Sequence, residues 1–235
     1  MDIDKVNHHI SGLFNKELED VCYKVLTMGG LVEQQLKLAI KALTLDLELA
    51  ELVISQDSQI NGLEIAINLA CNKILAIRQP KAFDLRLLLA IIKIIHELER
   101  IGNNTKCIAE IAIKLLNNVH SMPKHDLDHM AELINTMLNQ TLSAFAKMSV
   151  EEVPDIIECD KKVDLEYENR VQLLIACMID NPVNIRHCLD VLTIVRALER
   201  IGDHTRHICE HLVFTIKGEN VRHLSQKKLI KKIKG

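Results

Sequence analysis

A chain of 235 residues with 3% aromatic side chains, no tryptophan, 8 glycines and 4 prolines has too few rings and turn formers for a many-stranded protein. Its net charge of −3 is uneven: from Lys217 to Gly235 seven Lys/Arg face one Glu, a local +6 that leaves −9 on the rest of the chain. An acidic body argues against nucleic acid as a partner, and seven cysteines, odd in number and without a C-x-x-C pair, argue against a disulfide framework or a zinc knuckle.

The opening Met-Asp-Ile-Asp leads into no basic-then-apolar segment, so no secretory signal is expected. Aliphatic periodicity then predicts six long helices. The first runs over about 13–43, with a weak point at Gly29-Gly30. The second covers about 46–77 and stops before Pro80, because the residue ahead of a proline is pushed out of the α region. The third spans 82–117 and contains the most apolar stretch, Leu85 to Ile95; this carries Arg86 and Lys93 and is too short to cross a bilayer. Asn118, Ser121 and Pro123 mark a connection, and the fourth helix covers 124–148. Ser149 with Glu152 three residues on reads as a capping box opening the fifth, which ends at Asp180-Asn181. Pro182 opens the sixth and Gly218 stops it. Cys71, Cys177 and Cys188 lie among aliphatic residues, where a thiol acts as a small hydrophobe. The Leu/Ile stripes read as core. The chain reads as cytoplasmic.

The third and sixth helices share a message. Leu98-Glu-Arg-Ile-Gly-Asn-Asn-Thr-Lys-Cys-Ile-Ala-Glu110 returns 100 positions later as Leu198-Glu-Arg-Ile-Gly-Asp-His-Thr-Arg-His-Ile-Cys-Glu210, and Arg86, Leu89 and Ile94 recur as Arg186, Leu189 and Ile194. One structural unit has been built twice. The expected fold is all-α, with two tandem three-helix bundles related by internal duplication: residues 1–120, residues 121–217, and a basic C-terminal tail, 218–235. The tail reads as a solubilising terminus or as a contact for anionic lipid or an acidic partner.

The repeat also places the candidate chemistry. Glu99 precedes Asn103 by four residues on the third helix, and Glu199 precedes Asp203 on the sixth; Asp57 with Asn61 and Asp160 with Asp164 form matching pairs on the helices before them. Residues at i and i+4 share a helix face, and paired acids there repel unless a cation lies between them. If the helices face one another, Asp160, Asp164, Glu199 and Asp203 make an oxygen-rich site for a hard or borderline cation such as Mg, Mn or Fe. The same spacing alone also describes a solvated face. The first-repeat set has half the carboxylates because Asn61 and Asn103 replace acids. Arg100 and Arg200 read as partners for acids on neighbouring helices, and Gly102 and Gly202 as points of close approach. His204, His207 and His211 lie on roughly one side of the sixth helix, where His207 reads as an extra ligand or as an exposed histidine on an acidic face.

The paired L-E-R-I-G-[DN]-x-T stretches, with the Asp46-x-x-x-Ala50-x-x-x-Ile54-x-x-Asp57 run and the Gln79-Pro80 to Asp84-Leu85-Arg86 turn, resemble the PhoU family over residues 8–217. The resemblance implies a cytoplasmic, non-enzymatic homodimer that restrains phosphate uptake and phosphate-starvation signalling. Its implied partners are the ATPase subunit of the phosphate ABC transporter and a sensor histidine kinase, with membrane association through those partners only. It also implies multinuclear metal (divalent or trivalent Fe, Mn, Mg or Zn) on E/D-x-x-x-D motifs, here Glu199/Asp203 and Asp160/Asp164; Asn61 and Asn103 depart from that pattern. Two other readings remain. A carboxylate-bridged di-metal oxidase requires Glu-x-x-His on two helices, which this sequence lacks. A metal-free helical scaffold requires nothing further.

Overall fold

The structure is a computed structural model that describes residues 12–43, 46–117 and 127–221. Six helices occupy nearly all of them: α1 (Gly12–Ala42), α2 (Leu47–Arg78), α3 (Ala82–Asn117), α4 (Asp128–Lys147), α5 (Val153–Asp180) and α6 (Ile185–Lys217). There is no strand among the described residues. The expected inter-repeat boundary near 118–123, the start of the fourth helix at 124 and the basic tail past 221 lie outside the described residues.

Local chemistry sets the ends. Asp46, in extended conformation, accepts a hydrogen bond from the Leu49 amide at 3.1 Å and caps α2. Gly218, at φ 74°, closes α6 with its amide bonded to Phe214 O at 2.9 Å. The capping box expected at Ser149 does not form. Ser149 Oγ accepts from the Glu151 amide instead, and Glu152 sits at the N-cap with its carboxylate on Lys147. Pro154, in the first turn of α5, has no amide to be capped, and the helix starts around it. Likewise Pro182 opens a short 3₁₀ turn, Pro182–Asn184, and α6 proper follows. The Gly29-Gly30 pair does not interrupt α1. A Cβ on Gly29 would collide with the Leu142 side chain of α4, so that glycine lets two helices approach closely.

The two copies pack through equivalent helices. The broadest helix contact in the molecule is α3 against α6, and α1 also meets α4. Arg86, at the start of α3, donates through Nε to Thr215 O near the end of α6, while Glu97 faces His204, so this pair is antiparallel. Equivalent helices pairing antiparallel is the signature of a pseudo-two-fold arrangement. One continuous core results: Val25, Leu36, Ile67 and Ile95 belong to the same buried cluster as Met137, Phe145, Val195 and Leu212. The thiols of Cys22, Cys71 and Cys209 lie inside it, and burial pushes each up to about 12.

Not every aliphatic stripe is core. Ile65, Leu69 and Ile77 of α2, and Leu165, Leu173 and Ile179 of α5, are exposed. α2 is apolar on more than one side, and by length and composition it could cross a membrane; only 22% of its most apolar window is buried.

Gly102 and Gly202 do mark close approaches. A Cβ on Gly102 would lie 3.3 Å from Ile60 Cδ1 of α2, and one on Gly202 would lie 3.4 Å from Val163 Cγ1 of α5. Gly202→Ala should therefore fit and raise stability by up to about 1 kcal/mol through helix propensity. Gly202→Leu should lose about 1–3 kcal/mol by forcing α5 away. Thermal unfolding of the two variants checks the contrast.

Candidate functional site

Two parallel stripes on α6 carry the polar chemistry. Asp203, Arg206 and Glu210 follow one another at i, i+3 and i+7, and so do His204, His207 and His211, displaced by one residue. Such spacings share a face, and a one-residue offset turns the second row by about 100°. The first row looks toward α5 and the second toward α3.

On the α5 side the four predicted carboxylates of the second repeat come within electrostatic reach of one another. Asp203 acts on Asp160, Asp164 and Glu199, and Asp164 also acts on Glu199. Asp160 is buried, and this burial, with Asp164 and Asp203 nearby, pushes its carboxyl up to about 7 against the pull of Arg206. Burial, then Asp203, also raises Asp164 and Glu199. A cation of the protein's own already sits in this patch: Arg206 reaches Asp160 Oδ2 through Nε at 3.0 Å, Asp203 Oδ1 through Nη2 at 3.2 Å and Glu210 Oε1 through Nη1 at 2.6 Å.

The first repeat repeats the device with weaker charge. Lys106, the counterpart of Arg206, places Nζ 3.1 Å from Asp57 Oδ2, and Asn61 Nδ2 donates to the same oxygen at 3.3 Å. Asn103 Nδ2 donates to Glu99 Oε1 at 2.5 Å. Asp57 Oδ1 and Asn61 Oδ1 are buried with no hydrogen-bond partner, so two oxygen donors remain uncommitted there. Among the described residues Arg100 pairs not with a neighbouring helix but with Glu99 on its own, at 3.7 Å, and it is exposed. Arg200 lies close enough to Glu199 and to Cys107 of α3 to influence both.

The α3 side holds a cluster that the sequence reading did not assemble. Glu97 Oε2 accepts from His204 Nδ1 at 2.7 Å and lies 3.5 Å from His207 Nδ1, while His211 Nε2 is 3.8 Å from Oε1. Burial disfavours the Glu97 charge, but the three imidazoles outweigh it and hold the carboxyl well below the usual carboxylate range. His207 is raised above its ordinary value by Glu97, against burial. His207 is thus half-buried against a carboxylate of the other repeat, not exposed on the acidic face.

Six long helices built as two copies of one three-helix unit, docked through α3 and α6, define the class as a duplicated helical-bundle protein. A family model described as "PhoU domain" matches the chain twice, over residues 25–112 and 127–212. The phosphate-specific transport system accessory protein PhoU of Serratia marcescens is 45% identical over 93% of this chain and 90% of its own length. Its Escherichia coli (strain K12) counterpart is 42% identical over 100% and 98%. The crystal structure of PhoU from Pseudomonas aeruginosa superposes with a TM-score of 0.84 at 39% identity, covering 88% of this chain and all of that one. The chain belongs to the PhoU family.

Proposed function

We propose that this chain is the accessory regulator of a phosphate-specific transport system. It acts without catalysis of its own, in the cytoplasm and as a homodimer, restraining the ATPase subunit of the phosphate ABC transporter and the phosphate-starvation output of a sensor histidine kinase. The observation that carries this reading is likeness over the whole length to proteins bearing that name, 42–45% identical in Serratia marcescens and Escherichia coli. The exposed aliphatic residues of α2 and α5 favour association with another protein surface or with a second copy. Deleting the gene and growing the cells in phosphate-replete medium should give constitutive output of phosphate-starvation enzymes. Normal repression in the deletion strain would overturn the assignment.

Within this reading the acidic faces hold cations. Asp160, Asp164, Glu199 and Asp203 form the stronger site, because four carboxylates meet there; Asp160, Asp164 and Glu199 are raised first by burial and then by their acidic neighbours, a repulsion that a bound cation relieves. Asp57, Asn61, Glu99 and Asn103 form the weaker one, with half the carboxylates and with Lys106 on Asp57. A bound ion would screen the mutual repulsion of each set and join the two helices that carry it. Metal analysis before and after Glu199→Ala/Asp203→Ala should show most of an oxygen-bound ion such as Mn(II) lost with the double substitution, and unchanged content would contradict the placement.

A further inference from the structure

The cluster between α3 and α6 is unlike the acidic faces in its donors. Among the described residues it is the group in which three ligand atoms, from Glu97, His204 and His207, lie within 4.8 Å of one another. We propose that Glu97 Oε2, His204 Nδ1 and His207 Nδ1 bind a borderline divalent transition metal of the zinc class. This site is distinct from the carboxylate faces and bridges the two repeats.

The geometry is close to what such an ion requires. Metal–donor bonds of about 2.0–2.2 Å in tetrahedral arrangement hold donors roughly 3.3–3.5 Å apart. His207 Nδ1 already stands 3.5 Å from Glu97 Oε2, and His204 Nδ1, hydrogen-bonded at 2.7 Å, has to open by about 0.6–0.8 Å. His211 is buried, and its Nε2 lies beside the other carboxylate oxygen at 3.8 Å, where it serves as a positioning residue for Glu97. Two imidazoles with one carboxylate suit Zn, Co, Ni or Fe(II) and disfavour Mg and Ca, whereas the all-oxygen faces have the opposite preference. Three protein ligands leave a position for water or an exchangeable anion.

The site exists only where the copies differ. Counting back 100 positions, His204, His207 and His211 correspond to Asn104, Cys107 and Ile111, and Glu97 corresponds forward to Ala197. The pseudo-two-fold therefore generates one such cluster per chain and no second copy.

The proposal does not depend on the transport reading, because its test needs purified protein and no partner. Protein stripped with a chelator should take up one Zn(II) per chain in a titration against a chromophoric chelator, undisturbed by excess Mg(II). Co(II) in its place should give visible absorption typical of low coordination number. Glu97→Gln and His204→Ala should each weaken Zn(II) binding roughly tenfold or more, while Glu199→Ala/Asp203→Ala leaves it unchanged. X-ray absorption of unmodified Zn-loaded protein should show imidazole scattering, a readout that stands even if a variant fails to fold. An all-oxygen shell, no saturable Zn(II) uptake, or binding indifferent to Glu97→Gln and His204→Ala would each overturn it.

Discussion

Replacing Arg206 with methionine should lower stability at pH 8 by roughly 3–5 kcal/mol, the cost of leaving a buried charge without its partner. Methionine keeps the length of the stem but removes the guanidinium that, among the described residues, touches Asp160, Asp203 and Glu210 together. The side chains of Asp160 and Glu210 are 6% and 9% exposed, so water cannot take over. For a chain of this size the loss corresponds to a melting point lower by about 6–20 °C. The deficit should depend on pH, with a definite sign. Asp160 titrates near 7 in the folded chain, above its ordinary value of 3.8, so the folded state binds its proton more tightly than the unfolded state does. That contribution favours folding at low pH and is lost as the pH rises through the folded value. Without Arg206 the folded value climbs further, so the penalty should be larger at pH 8 than at pH 6. Asp160→Asn/Arg206→Met should recover part of the loss at pH 8. Equal deficits at both pH values would mean that Asp160 is not the carboxylate at fault.

The same patch shows what sequence can and cannot disclose. Spacing on a single helix is a local property, so the i, i+4 pairs, the six helices and the duplication were all readable along the chain. The glycines at 102 and 202 were readable too, because an unfavourable residue kept at the same place in both copies implies contact. Arg206 and Lys106 were overlooked as internal counter-ions although they occupy equivalent places in the repeat. Nothing local says that a side chain three residues beyond Asp203 will cross to Asp160 on another helix. Glu97 was missed for a different reason. An argument built on what recurs discards what does not, and Glu97, His204 and His207 are joined only by the antiparallel docking of one copy on the other. The capping box fails because Pro154, compatible with the first turn of a helix, sets the N-cap at Glu152 rather than at Ser149.

That docking makes a second large effect. Leu98 and Leu198 are equivalent residues, each fully buried, on the two helices that pack across the pseudo-two-fold. Either Leu→Ala substitution should cost about 2–5 kcal/mol, the transfer of the side chain plus the cavity it leaves. The shape of the transition is more telling than its size. If each repeat had a core of its own, Leu98→Ala would weaken the first and leave the second melting at its original temperature, giving two steps by calorimetry. The buried aliphatics of both repeats form one cluster, and α3 would lose its broadest partner surface if α6 unfolded. Both variants should therefore show a single, shifted transition with equal calorimetric and van't Hoff enthalpies. Residues 1–120 produced alone should expose the apolar side of α3 that α6 covers, and should associate or remain poorly ordered. A well-behaved, sharply melting fragment would mean that the duplication left two self-sufficient units, and the polar groups between α3 and α6 would then face each other across a separable interface rather than inside one body.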